Sequence, residues 1–133
     1  MSIIRLKIDL STVLMTDIKL WNKTKMDYSS LYIAIDTGAS VTTISKEILY
    51  HAGYDISTGS VHKFTTASGI EYVRAITLEK IKLDSYEIDD VLVYAHTFPQ
   101  ESFVAGVLGL NVLSKFDVNI LFSKGFMELT VIS

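Results

Sequence analysis

The stretch Leu31-Tyr32-Ile33-Ala34-Ile35-Asp36-Thr37-Gly38-Ala39-Ser40-Val41-Thr42-Thr43-Ile44 decides how this chain is read. Residues 31–35 are apolar at every position, and a strand without a polar face is buried from both sides. The run ends on a carboxylate, Asp36, followed by Thr37-Gly38. Val41 to Ile44 is β-branched throughout and reads as strand again. A lone carboxylate behind a doubly apolar strand is costly to ionise, because desolvation disfavours the charged form. Asp-Thr-Gly by itself is ordinary turn chemistry. The two flanking strands, and the absence of further charge in Ala39-Ser40, give it weight as a chemical group.

Outward from this stretch the period of two persists. Ile4, Leu6, Ile8 and Leu10 alternate with Arg5, Lys7 and Asp9, which marks a strand with one buried face. Val13 to Leu20 reads as a second strand, and Trp21 to Lys25 as a polar turn. On the other side, Ser45 reads as a helix N-cap. Ile44, Ile48, Leu49 and Ala52 then line one face of a helix of two turns at most, closed by Gly53. Val61 to Thr66 and Ile70 to Leu78 read as strands joined through Ala67-Ser68-Gly69, where glycine supplies the positive φ of a tight turn. Ile81 and Leu83 continue the alternation to a turn near Asp84-Ser85. Ile88 and Val91 to Tyr94 are strand-like, with Asp89-Asp90 at an edge or turn. Thr97 to Ser102 holds the only proline, Pro99, and reads as loop. Val104 to Leu108 is a further apolar run and Leu110 to Lys115 a short helix. Phe116, Val118, Ile120 and Phe122 alternate with more polar neighbours, Ser123-Lys124-Gly125 turns the chain, and Phe126 to Ile132 is the last strand. Many short strands, frequent turns and at most two short helices describe an all-β domain, barrel-like or sandwich.

The totals fit one domain over residues 1–133. Hydrophobic residues make up 49% and charged residues 20%, enough apolar material for a core and too much for disorder. A chain of this size leaves much of its surface outside the core, so oligomerisation would add burial. The net charge of −3 and the lack of any Lys/Arg cluster argue against a nucleic-acid partner. With no cysteine there are no disulfides and no thiolate metal sites. His51, His62 and His96 match no zinc spacing, so no metal and no cofactor is expected. Charges interrupt the N-terminal apolar residues, which reads as neither signal peptide nor membrane span. A cytoplasmic protein with no membrane partner is expected.

Ile33-Ala34-Ile35-Asp36-Thr37-Gly38-Ala39-Ser40, continued by Val41-Thr42-Thr43-Ile44, resembles the active-site segment of the retropepsin-like aspartic peptidases. Val107-Leu108-Gly109-Leu110-Asn111-Val112-Leu113 resembles that family's apolar pair, glycine and short helix near the C-terminus. The order of elements agrees from Leu31 to Val131, and cellular and bacterial members look closer than viral ones. The resemblance implies a closed, barrel-like acid-protease fold that works as a homodimer. It implies that Asp36 is the catalytic carboxylate, that Thr37 hydrogen-bonds across the dimer axis, and that the Gly38 N–H faces the carboxylate. It implies that Ala39 and Ser40 line the cleft, and that the hairpin tip at Ala67, Ser68 and Gly69 is the flap over substrate. Tyr72, near that flap, is a further candidate for the cleft. Viral members carry an acid where Ser40 stands and an arginine where Leu110 stands. The joint absence of both leaves neither charge without its partner. With the single glycine Gly69, a stiffer flap is expected.

The chemistry implied needs two carboxylates that share one proton, since like charges so close cannot both ionise. The chain holds one Asp-Thr-Gly. Asp89-Asp90 is followed by no Thr-Gly, so the second carboxylate would come from another copy across a twofold axis. The expected activity is endopeptidase action on an extended peptide or partly unfolded protein. Two alternatives stand beside it: a non-catalytic peptide-binding or dimerisation module on the same fold, and self-processing alone. Phe116 to Ile132 is expected as a core hairpin. The sharper alternative pairs Met127 to Ile132 with its symmetry mate in an intersubunit sheet.

Overall fold

The apolar run at 31–35 becomes the end of a strand with neighbours on both edges in the computed structural model, which describes residues 3–10, 13–99, 102 and 104–132. In chain order the strands are β1 (Ile3–Leu10), β2 (Leu14–Asn22), β3 (Asp27–Ile35), β4 (Thr42–Ser45), β5 (Ser60–Thr66), β6 (Gly69–Leu83), β7 (Tyr86–His96), β8 (Gly106–Leu108), β9 (Phe116–Leu121) and β10 (Phe126–Val131). Two short helices join them, α1 (Lys46–His51) and α2 (Leu110–Leu113).

β3 pairs antiparallel with β2 along its length and parallel with β8 at Ala34↔Val107 and Ile35↔Leu108. From β8 the sheet runs through β4, β7 and β6, and β6 returns to β2 at Lys19↔Lys82 and Leu20↔Ile81. These six strands close a barrel. Its interior is filled by side chains from every wall, among them Ile18, Leu20, Ile33, Ile44, Leu78, Val93 and Leu108. β1 bends away from β2 to pair with β10, and β9 completes an appended sheet. The expected all-β, barrel-like class and the two short helices are therefore found.

Local departures from the sequence reading have identifiable causes. Tyr32 is exposed within the apolar run, and its hydroxyl donates to Asp9. Trp21 and Asn22 belong to β2, because Asn22 closes the hairpin from inside. Its Oδ1 accepts the Lys25 N–H, and its Nδ2 donates to Ser29. Ser45 stands at the N-cap of α1, but its side chain makes no capping hydrogen bond. Gly53, at φ +89°, ends α1 in the left-handed region, where glycine is unstrained. Leu10 and Phe122, expected to face inward, are 63% and 59% exposed: Leu10 is the last residue of β1, and Phe122 opens the 3₁₀ turn that follows β9. The loop expected over 97–102 is described at 97–99 and 102; Gln100 and Glu101 lie outside the described residues, as does Thr12.

The hairpin reading of 116–132 is found, with Met127 and Leu129 fully buried. The intersubunit alternative for this segment is not supported by its pairing. β10 is hydrogen-bonded to β9 on one edge and to β1 on the other, so it offers no open edge. Asp89-Asp90 sits inside β7 rather than in a turn. There the β6–β7 ladder lapses between Leu78↔Val91 and Lys80↔Asp89, and Asp90 takes φ +53°.

Tyr54 repairs that lapse. Its hydroxyl accepts the Glu79 N–H at 3.3 Å and donates to the Trp21 carbonyl at 2.9 Å. One buried phenol thus joins β2 and β6 beside the seam that closes the barrel. Burial is the main cause that pushes its ionisation above the ordinary tyrosine value. Among the described residues, no helix is long and apolar enough to cross a membrane.

The seam yields a stability prediction. Tyr54→Phe strips both backbone groups of their partner at almost constant volume, which should cost about 1–3 kcal/mol. The expected signature is a lower urea midpoint with an unchanged slope.

Candidate active site

Asp36 is held by a crossing of two chain segments. β8 lies between β3 and β4, parallel to the first and antiparallel to the second. The chain that joins β3 to β4, residues 36–41, must therefore pass over the end of β8. The Asp36 N–H donates to the Leu108 carbonyl at 3.1 Å, which ties the start of this turn to that end. The next residue is Gly109. A Cβ there would stand 2.8 Å from the Val41 carbonyl carbon and 2.9 Å from both the Ala39 oxygen and the Thr42 nitrogen. All three are backbone atoms, so the crossing admits glycine only.

Past the crossing the chain enters α2 and grips the turn again. The Leu110 N–H donates to the Ala39 carbonyl at 2.8 Å, and the Asn111 N–H to the Ser40 carbonyl at 3.1 Å. Asn111 does more with its side chain. Its Oδ1 accepts both the Thr42 N–H at 2.9 Å and the Thr42 hydroxyl at 2.8 Å. Its Nδ2 donates to the Leu92 carbonyl of β7 at 2.7 Å. Thr42, itself buried, accepts the Gly109 N–H on its hydroxyl at 3.0 Å. This knot of neutral groups locks β4, β7, β8 and α2 beneath the turn. Reading the sequence assigned no role to Thr42 or Asn111. The available signal was a hydroxyl-bearing residue in a β-branched run and an amide directly after Gly109-Leu110.

Within the turn, the Gly38 N–H donates to Asp36 Oδ1 at 2.8 Å, and the Ala39 N–H to the Asp36 carbonyl at 3.2 Å. A Cβ on Gly38 would press to 3.1 Å from the same carboxylate oxygen. Asp36, Thr37, Gly38 and Ser40 are exposed, and Ala39 is half-buried. The desolvation argument made from the apolar run thus does not operate in one chain: the strand ends before the carboxylate, which faces outward. The Thr37 side chain forms no hydrogen bond among the described residues. Leu110, beside the turn, is 41% exposed.

Ala67, Ser68 and Gly69 lie elsewhere, at the tip of the β5–β6 hairpin, where Thr66 pairs with Gly69 around a two-residue turn. Gly69 takes φ +134°, and all three tip residues are exposed. Tyr72, on a hairpin strand, is exposed as well. The structure therefore assembles residues 36–40 with 109–111 in one unit and presents 67–69 on a separate arm. A groove of about 710 Å³ runs along β1 and β2 past Lys7, Thr16 and Tyr32 and does not include Asp36.

Residues 23–115, which include the Asp36 turn, the hairpin and the Gly109 crossing, match the family model described as "gag-polyprotein putative aspartyl protease". No curated protein sequence matches. Among solved structures, the fold is similar to the crystal structure of a retropepsin-like aspartic protease from Rickettsia conorii. The two share 19% identity at a TM-score of 0.68, over 96% of this chain and 89% of that one.

The knot makes a prediction independent of any reaction. Asn111→Ala leaves the Thr42 N–H without its partner, while the exposed Leu92 carbonyl can turn to water, and should destabilise the fold by about 1–3 kcal/mol. Thr42→Val removes part of the same network. Denaturation of the double variant should show a loss smaller than the sum of the two single losses.

Proposed function

This chain belongs to the aspartyl protease family whose model spans its residues 23–115, and from that premise we propose that it is an aspartic endopeptidase whose catalytic dyad is completed by a second copy of itself. The observation that carries the reading is Asp36 Oδ1 held at 2.8 Å by the Gly38 N–H on an exposed turn, one such turn per chain. The hydrogen bond orients the carboxylate and leaves its other oxygen available. The exposure of Asp36 and Thr37 supports an arrangement in which two turns face each other across a twofold axis.

The chemistry follows from two facing carboxylates that hold one proton between them. The ionised carboxylate takes a proton from water as that oxygen attacks the scissile carbonyl carbon. The protonated partner gives its proton to the carbonyl oxygen. The tetrahedral intermediate then collapses. Its C–N bond breaks, the leaving nitrogen gains a proton from the dyad, and a hydroxyl proton returns to the dyad. Bonds and protons balance, and no covalent enzyme intermediate forms. Ala39 and Ser40 flank the carboxylate, and the hairpin tip at Ala67, Ser68 and Gly69 is the element available to cover an extended substrate by main-chain hydrogen bonds. Peptides and partly unfolded proteins are the fitting substrates.

The test incubates the wild-type chain and Asp36→Asn with a diverse peptide mixture from about pH 4 to 7, the range in which such a dyad holds a single proton. Cleavage is read by mass spectrometry. Wild type should cleave, and Asp36→Asn should lose at least about 10²-fold in rate. Activity per molecule should rise with protein concentration, because the site needs two copies. Equal behaviour of the two proteins at every pH and concentration would sink the proposal. Peptide binding retained without turnover would instead favour a binding module.

A further inference from the structure

Among the described ladder pairings, the β5–β6 hairpin is tied to the barrel as far as Arg74↔Ala95; toward the tip, residues 70–73 of β6 pair with β5. Past that point its hold on the barrel passes through side chains of one face. By register His62, Phe64, Glu71 and Val73 share that face. They meet the end of β7 and the segment after it. His62 and Phe64 lie 5.7 and 6.0 Å from the Tyr94 ring. Phe64 lies 5.6 Å from the His96 ring, and His96 lies 5.5 Å from Phe98. Glu71 Oε2 stands 3.7 Å from His96 Nδ1. The contacts from both hairpin strands therefore converge on His96. The other face offers no comparable hold, since Val61, Ile70 and Tyr72 are exposed there.

Two members of this convergence, His62 and His96, are histidines, whose charge can change near neutral pH, and of the two His96 has the Glu71 carboxylate within ion-pair distance among the described residues. Its ring packing against Phe64 and Phe98 persists in either form. Its attraction to the Glu71 carboxylate exists only when the ring is protonated. The other charged or titratable groups around it are Lys46 of α1, which lines the same cavity of about 560 Å³, Glu47 of α1 beside Phe98, His62 of β5 and Tyr94 of β7. Among the described residues Glu71 alone lies within ion-pair distance of His96.

We propose that His96 is a positioning residue for the hairpin arm: its imidazolium form clamps the arm to the barrel through Glu71, and its neutral form loosens it. The clamp stands on these contacts alone. Its consequence for turnover rests on the peptidase reading, in which the arm covers the substrate. The hold therefore requires an ionised carboxylate and a protonated imidazole together, so it is present between the carboxylate and histidine ranges and weakens as pH rises through the latter.

Amide hydrogen exchange of residues 62–73, corrected for intrinsic rates, tests the clamp without any substrate. Protection in the wild type should fall by about two- to fivefold between about pH 5 and 8, the range that a half-exposed ion pair to histidine supports. The fall should vanish in His96→Gln and in Glu71→Gln. His96→Phe keeps the ring packing and should show pH-independent protection. Amides of β10 serve as the control for global opening. Wild-type protection that does not change with pH, or a fall that persists in His96→Gln, overturns the proposal. The same series in an Asp36→Asn background should give the same exchange result, so the clamp can fail or stand whatever becomes of the catalytic reading. If the chain cleaves peptides, His96→Gln should raise KM at acidic pH with little change in kcat, and that difference should disappear near pH 8, the upper end of the histidine range.

Discussion

Two backbone segments pass within contact distance of each other at Gly109, and the place of Asp36 depends on that passage. The turn from β3 to β4 must cross the end of β8, and the atoms it meets there are main-chain atoms that cannot move aside independently. Because no side chain intervenes, the Asp36 N–H, the Leu108 carbonyl, the Ala39 carbonyl and the Leu110 N–H come into direct hydrogen-bond range. A loop bearing an exposed carboxylate would ordinarily be among the most mobile parts of a small β domain. Here it inherits the rigidity of the barrel wall, because the wall closes on both sides of it.

The groups that secure the crossing are neutral. Thr42 and Asn111 satisfy each other and the neighbouring backbone without a buried ion pair, which avoids the desolvation that a charged pair would incur. The same economy recurs around the barrel. Tyr54 fills the lapse in the β6–β7 ladder, Asn22 caps its own hairpin from within, and Thr16 donates to the Lys7 carbonyl where β1 leaves β2. Among the described residues, no buried side-chain nitrogen or oxygen lacks a partner. Irregularities in the strands therefore coincide with side chains that take over the missing backbone bond. That substitution lets a short chain bend its sheet into a closed barrel.

The two functional elements differ in how they are held. The Asp36 turn is fixed by backbone bonds and a partly buried knot of neutral groups, none of which titrates near neutral pH. The β5–β6 arm extends beyond its last tie to β7 and rests on exposed or half-exposed aromatic and ionisable groups. On the proposed reading, a carboxylate fixed in the barrel wall and an arm held by side chains would keep the reacting group in register and still admit a long substrate.

Short-range information in the chain determined the strand content, the two helices and the position of the Asp-Thr-Gly turn. Alternation at Ile4 to Ile8, the β-branched run at 41–44, and the glycines at 53, 69 and 125 act through neighbours along the chain, where periodicity and backbone preference operate. The motif around Gly109 was legible through its resemblance to the retropepsin-like family, because its apolar pair, glycine and short helix are contiguous in sequence. Tertiary structure alone decided that Asp36 faces outward, that β10 has no free edge, that Asp89-Asp90 lies within a strand, and that Tyr54, Thr42 and Asn111 carry the seam and the crossing. Each of these depends on groups far apart in sequence, as Thr42 and Asn111 are, and a side chain's composition does not disclose which distant backbone group will need it.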